Sequence, residues 1–240
     1  MGITGSTNGF RQTSIRLLHT SDLHIGSDIY PEDALRGLES MLASSHEMKV
    51  DAIIIAGDLF DNRRIPDTTI NRVFDDLGSF GKPVIILPGN HDTLLTTGWT
   101  SRSLPESVDL IRQEDGELIL IESLNLAVWG RPVFDHNPNF RPLEGLPPRP
   151  GNSWYVPIAH GMFMDGQNDE FRSSPISPKE ISEAKCDYIA LGHVHAFRNV
   201  SQSGVLAYYS GAPSGSQRRT VAVVDLNPET GVSVSPLNIQ

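Results

Sequence analysis

The sequence predicts an α/β fold with a two-sheet core and helices on the outside, and three observations predict it. The runs DAIIIAGDLFD (51–61) and KPVIILPGNHD (82–92) carry unbroken apolar stretches, the pattern of strands covered on both faces. The segments before each of them have helical apolar spacing. From about residue 117 onward the chain turns strand-rich, with short apolar runs parted by Gly, Pro and Asn. Hydrophobic residues make up 38% of the chain and charged residues 20%, enough to bury a core and unlike a disordered tract.

In chain order, residues 1–14 read as a flexible polar leader and 15–240 as one domain. Ordered structure is expected from Ile15, where IRLLHTSDLH is an apolar strand running into a polar loop. From Pro31 to Met48 the spacing is helical, with Leu35, Leu38, Met41 and Leu42 on one face. Pro31 followed by Glu32 and Asp33 suits a helix N-terminus, where the missing Pro N–H costs nothing and acidic groups meet the positive end of the dipole. A strand over AIIIA, a helix around Asp67–Phe80 and a strand over PVIIL follow. Segments 117–122 and 125–130 read as short strands, and the Pro-, Asn- and Gly-rich stretch 135–153 as a long surface loop. WYVPIAHG is a strand delivering His160. SPKEISEAK is a capped helix, and CDYIALGHVHAF a strand ending in a loop with His193 and His195. Three closing strands are expected around 204–210, 219–225 and 231–237. Arg218 and Arg219 read as solvated charge, and His46 and His136 as surface histidines.

A net charge of −10 argues against broad, non-specific nucleic-acid binding, which needs a basic surface to release counterions. A nucleic-acid substrate stays open, because bound cations reverse the local field of a carboxylate-rich site. Cys186 is the only cysteine, so no intrachain disulfide forms; it reads as a small buried residue near a strand. No apolar run approaches the roughly 20 residues of a membrane span, and the start of the chain lacks the apolar stretch of a secretory signal. A cytoplasmic location is expected.

The strand-like runs end in polar clusters: Asp22-Leu23-His24, Gly57-Asp58, Gly89-Asn90-His91-Asp92, His160-Gly161 and Gly192-His193-Val194-His195. Singly, each has an ordinary explanation as a turn, a helix cap or a packed histidine. Jointly they weigh differently, since five of the eight histidines lie in them. Ligands in α/β sheets gather beyond the carboxyl ends of strands, so the five clusters are expected to converge. Residues at i and i+2 of a strand point the same way, so Asp22 with His24, and His193 with His195, would each present two ligands. Mixed carboxylate, imidazole and amide donors suit Mn, Fe, Zn or Ni. A single catalytic zinc needs three protein ligands, so seven candidates point to two ions.

The motifs D-x-H, GD, GNHD, H-G and GHxH, in this order across residues 22–195, resemble the calcineurin-like metallophosphoesterase family. Within it LLHTSDLHIG, AGDLFD and YSGAPSGSQ are most similar to SbcD-type nuclease subunits of DNA repair. The resemblance implies a four-layer αββα sandwich, with two mixed β-sheets flanked by helices. It implies two divalent metal ions, manganese foremost, and metal-dependent hydrolysis of phosphate esters. Asp22, His24 and His195 would bind one ion, Asn90, His160 and His193 the other, and Asp58 would bridge them. His91 would act on the scissile phosphate with Asp92 as the carboxylate that orients it. His19 is a candidate for orienting a ligand or for plain packing, and Asp61 and Arg63 border the expected site. The function expected is hydrolysis of a phosphodiester, with a nucleic-acid end as substrate. The alternatives are a small-nucleotide, cyclic-nucleotide or phosphomonoester hydrolase, and a non-catalytic scaffold that retains the fold.

Overall fold

The computed structural model describes residues 13–28, 31–94, 98–137, 139–164, 174–215 and 218–240. Residues 1–12 of the expected leader (1–14) lie outside the described residues; Thr13, within it, accepts a hydrogen bond from the Trp154 indole at 2.8 Å.

The chain runs β1 (Ile15–Thr20), α1 (Pro31–Glu47), β2 (Ala52–Ala56), α2 (Asp67–Ser79), β3 (Val84–Leu87) and β4 (Val108–Leu110). It continues through β5 (Glu117–Ile121), β6 (Leu126–Gly130), β7 (Trp154–His160), β8 (Met162–Phe163), β9 (Pro175–Ile176) and α3 (Pro178–Glu183). Then come β10 (Ile189–Gly192), β11 (Phe197–Asn199), β12 (Ala207–Ser210), β13 (Thr220–Asn227) and β14 (Gly231–Asn238). The first sheet has the order β14-β13-β1-β2-β3-β4 and the second β11-β12-β10-β7-β6-β5. In the first, β1 to β4 are parallel and β13 and β14 antiparallel. In the second, β6, β7, β10 and β12 are parallel, with β5 and β11 added antiparallel at the edges.

Alternation along the parallel strands sorts their side chains into layers. In β2, Ile53 and Ile55 pack against Leu38 and Met41 of α1 and Val73 and Leu77 of α2, while Ala52, Ile54 and Ala56 face the second sheet. The inter-sheet layer is completed by Leu17, Ile85, Leu87, Val128, Val156, Ile158 and Ala190. Beyond the second sheet, Ala159, Ile189, Leu191 and Tyr209 cover Ile181 of α3. The result is the expected four-layer αββα sandwich with two mixed sheets. Helix α3 is held at its start by a capping box: the Glu180 amide donates to Ser177 Oγ at 3.2 Å, and the Ser177 amide donates to Glu180 Oε2 at 2.8 Å.

The pair Arg218-Arg219 departs from the sequence expectation. Arg218 donates to Asn238, and Arg219 pairs with the buried carboxylate of Asp33 at 2.5 Å, tying the segment after β12 to the first turn of α1. Strands β4, β8, β9 and β11 add to those the sequence predicts. Among the described residues no helix is long and apolar enough to cross a membrane.

Candidate metal centre

Strands β1, β2 and β3 are mutually parallel, as are β7 and β10. Their carboxyl ends therefore lie together, and all five polar clusters meet there. Strand alternation does not aim them. Asp22, His24, Asp58 and His193 sit in loops just past their strands with φ of 56°, 51°, 54° and 99°, so the expected i/i+2 strand geometry is corrected to left-handed loop positions. Half of the non-glycine residues with positive φ in the described chain belong to the site. Such strain persists only where the surroundings over-determine it, and it concentrates at functional sites.

Close approach is the second requirement. A Cβ at Gly57 would lie 2.0 Å from His160 Nδ1, and one at Gly89 would lie 2.2 Å from Asp58 Oδ1. Only glycine lets these loops nest against the side chains they hold.

The donor atoms fall into two groups. Asp22 Oδ1 lies 3.9 Å from His24 Nε2 and 3.6 Å from His195 Nε2, and those two nitrogens are 3.3 Å apart. Asn90 Oδ1 lies 2.9 Å from His160 Nε2 and 3.0 Å from His193 Nδ1. Asp58 Oδ2 belongs to both groups, 3.8 Å from His24 Nε2 and 3.3 Å from His160 Nε2. Each carboxylate gives one oxygen to the protein and turns the other to the centre. Asp22 Oδ2 accepts from the His193 amide at 3.0 Å and from Ser21 Oγ at 2.5 Å; Asp58 Oδ1 accepts from the His91 amide at 2.9 Å.

This arrangement fits a metal on its own chemistry. Asp22 Oδ1 is buried with no hydrogen-bond partner among the described residues, which is costly for a carboxylate oxygen unless a cation meets it. His160 Nδ1 lies 2.8 Å from the Ala56 carbonyl, which only accepts, so that nitrogen carries the proton and Nε2 turns its lone pair to the centre. His24 is set the same way by Asp61, 3.0 Å from its Nδ1. Lone pairs and carboxylate oxygens thus face one another, and only a proton or a cation reconciles them.

The charges answer accordingly. Burial works to raise the Asp58 carboxyl, but His160 and then His24 outweigh it and hold it well below the ordinary carboxylate range. Burial works to lower the His160 imidazole, but Asp58 and Asp22 push it up to about 10. Burial holds His24 and His193 below their ordinary value.

The remaining candidates divide. His91 is half exposed at the rim, and its Nδ1 donates to the Asp61 carbonyl at 3.0 Å, with the Asp61 carboxylate 3.5 Å away. Asp92 is fully buried; its oxygens accept from the Gly89 amide at 2.7 Å and the Phe60 amide at 3.1 Å, and burial followed by the nearby Asp58 raises it to about 7. Asp92 thus fixes the turn that carries His91, and the Asp61 carboxylate lies beside the imidazole ring. Sequence reasoning placed Asp61 only at the border of the site. The signal for it is a tertiary one, the Ile25–Phe60 bridge that sets its chain against the His24 loop. His19 is buried between the sheets and pairs with the Tyr188 hydroxyl at 2.7 Å, away from the donor atoms.

Two sheets with outer helices, and oxygen and nitrogen donors gathered at the carboxyl ends of their parallel strands, define the metallophosphoesterase class. The calcineurin-like phosphoesterase family matches over residues 15–197, and the chain belongs to that family of hydrolases acting on phosphoester bonds. It is 34% identical to the DNA double-strand break repair protein Mre11 of Methanosarcina acetivorans, over 92% of this chain and 38% of that protein. It is 37% identical to the SbcD component of the SbcCD nuclease of Escherichia coli over 89 residues, 34% of this chain and 22% of that protein. The crystal structure of TT1561 of Thermus thermophilus superposes with a TM-score of 0.62 at 13% identity, covering 95% of this chain and all of that one, a likeness of fold. The chain spans well under two thirds of the length of these curated relatives.

Proposed function

We propose that this chain is a two-metal phosphodiesterase acting at the ends of nucleic-acid strands. One observation carries the reading. Asp58 Oδ2 stands within reach of both donor groups, 3.8 Å from His24 and 3.3 Å from His160, as a carboxylate shared by two cations must. Asp22, His24 and His195 would hold one cation, Asn90, His160 and His193 the other, and the charge of Asp58 would compensate both. Manganese suits this mixture of carboxylate, imidazole and amide donors.

Two divalent cations bound there would supply an activated water and neutralise the phosphate oxygens. The chain's own residues do the rest. His24 and His160 are fixed as lone-pair donors by Asp61 and the Ala56 carbonyl. His91, its Nδ1 committed to Asp61, lines the cavity, where its ring would donate to the phosphate oxygens or to the leaving oxygen. The kinship with Mre11 and SbcD favours a nucleic-acid end over a small nucleotide. The test is a single-stranded oligonucleotide assayed beside a panel of mononucleotides, cyclic nucleotides and phosphomonoesters at equal enzyme and Mn²⁺. The oligonucleotide should turn over far faster than any of them. Faster turnover of a mononucleotide would move the chain to the small-molecule hydrolases.

A further inference from the structure

Two cavities flank the centre. One, of about 320 Å³, runs from Asp22, His24 and Asp58 to Ser27, Ala34, Ser214 and Gly215. The other, of about 380 Å³, reaches Asn62, Arg63 and His136. Asp61, Asn90 and His91 line both. A phosphorus atom at the centre therefore has room for a substituent on either side. A diester uses both arms, and a monoester only one.

The arms differ in character. Beyond the metal residues, the first is walled by buried Leu23 and Ala34 and by seryl hydroxyls, suited to a sugar and base. The second presents Arg63 and His136; both are exposed, and among the described residues neither makes an ion pair. Asp61, the carboxylate between them and the centre, is already turned to His24.

Arg63 is not on a loose loop. Its turn is pinned before and after the residue. The Asp61 amide donates to the Ile25 carbonyl at 3.0 Å, and Asn62 Nδ2 donates to the Gly26 carbonyl at 3.3 Å. Asn62 Oδ1 accepts from the Arg64 amide at 2.8 Å, and Ile65 is buried in the core under α2. His136 comes from a separate segment anchored at Val133, whose amide donates to the Pro88 carbonyl and whose carbonyl accepts from Leu94. In a chain of net charge −10, two cationic or protonatable side chains held from separate segments over one cavity beside the reacting centre mark a place for an anion.

We propose that Arg63 and His136 form a second phosphate-binding subsite, which takes the phosphate next in the chain to the one being cleaved. This rests on the phosphodiesterase reading above. A phosphodiester chain supplies such a phosphate across a sugar, and a nucleoside polyphosphate supplies one directly. The kinship with Mre11 and SbcD that supports the phosphodiesterase reading favours the chain.

The test uses the full chain loaded with Mn²⁺ and short oligothymidylates. The linkage flanking the cleaved one is either a natural phosphodiester or a neutral methylphosphonate, on the 5′ side in one series and on the 3′ side in another. In one series the wild-type enzyme should lose about tenfold in kcat/KM when the neighbouring charge is removed, the size of one charge-assisted hydrogen bond. Arg63→Gln should shrink that discrimination to about twofold or less, and Arg63→Lys should keep most of it. The readout is a ratio within each enzyme, so a general loss of activity cancels. Equal discrimination in wild type and Arg63→Gln, or none in wild type, overturns the proposal. Arg63-dependent turnover of a pyrophosphate-linked dinucleotide, with no discrimination among the oligonucleotides, overturns it in favour of a polyphosphate. No turnover of any of these substrates by wild type sinks the phosphodiesterase reading, and this inference with it.

Discussion

Replacing Gly57 with alanine should empty one metal position and leave the other filled. Gly57 has φ of 95°, and a Cβ there would lie 2.0 Å from His160 Nδ1. Ordinary contact begins near 3.4 Å, so the ring must retreat by more than an ångström. That motion breaks the 2.8 Å bond from Nδ1 to the Ala56 carbonyl, and it draws Nε2 away from Asp58 and Asn90. The left-handed conformation costs an alanine about 1–2 kcal/mol. Loss of the buried hydrogen bond costs about 1–3 kcal/mol more. Together they should lower the midpoint of thermal unfolding of the metal-free protein by roughly 4–20 °C, at 2–4 °C per kcal/mol for a chain of this size. The atoms nearest that Cβ all belong to His160, so Asp22, His24 and His195 should keep their places. Elemental analysis after dialysis against micromolar Mn²⁺ should give about one ion per chain, against two for wild type. Two ions bound with wild-type affinity in a folded Gly57→Ala protein would refute the reasoning, because His160 would then not depend on the space that glycine leaves.

Other consequences can be checked alongside. His91→Asn should cut turnover about 100- to 1000-fold while metal content stays near two per chain, since the role proposed for His91 is on the phosphate, although its ring also lies within metal-ligand reach of His24 and Asp58; a lost ion would make it a ligand instead. Asp61→Ala removes the partner of His24 Nδ1 and should weaken Mn²⁺ binding by about 10- to 100-fold at the position formed by Asp22, His24 and His195, read by calorimetric titration; unchanged binding would discount the orienting role. Burial pushes the His19 imidazole from its ordinary 6.5 down to about 3. Above pH 6.5 both folded and unfolded chains hold it neutral, and below that the unfolded chain takes a proton the folded chain refuses. Stability from this group is therefore full above pH 6.5 and drains away toward pH 3, by about 2 kcal/mol at pH 5. Urea unfolding of chelated protein at pH 7.5 and 5.0 should show that loss in wild type and a correspondingly shallower loss in His19→Gln; parallel losses would mean His19 is not held neutral.

The parts of the fold that were legible in the sequence are those whose burial imprints a pattern. AIIIA and VIIL became β2 and β3 because both faces of each are covered, and α1 carries Leu38 and Met41 one turn apart against them. The strands that the sequence does not announce carry little such imprint. β4 is three residues with Asp109 outward, β8 and β9 are two residues each, and β11 is an edge of Phe, Arg and Asn with little buried surface. The clusters of the site were visible because each follows a strand directly. The reason they meet was not, because left-handed φ at Asp22, His24, Asp58 and His193 has no period in the sequence. Contacts across the fold were equally hidden. Nothing near Arg219 marks Asp33 as its partner, and nothing near His24 marks Asp61.

The most direct test of the shared Asp58 carboxylate is a crystal structure of the protein soaked in Mn²⁺, with anomalous scattering recorded at the manganese edge. Two peaks roughly 3.5–4 Å apart are predicted, one among Asp22, His24 and His195, the other among Asn90, His160 and His193, with an oxygen of Asp58 touching both. A single peak, or a pair that leaves Asp58 bound to only one ion, would contradict the account.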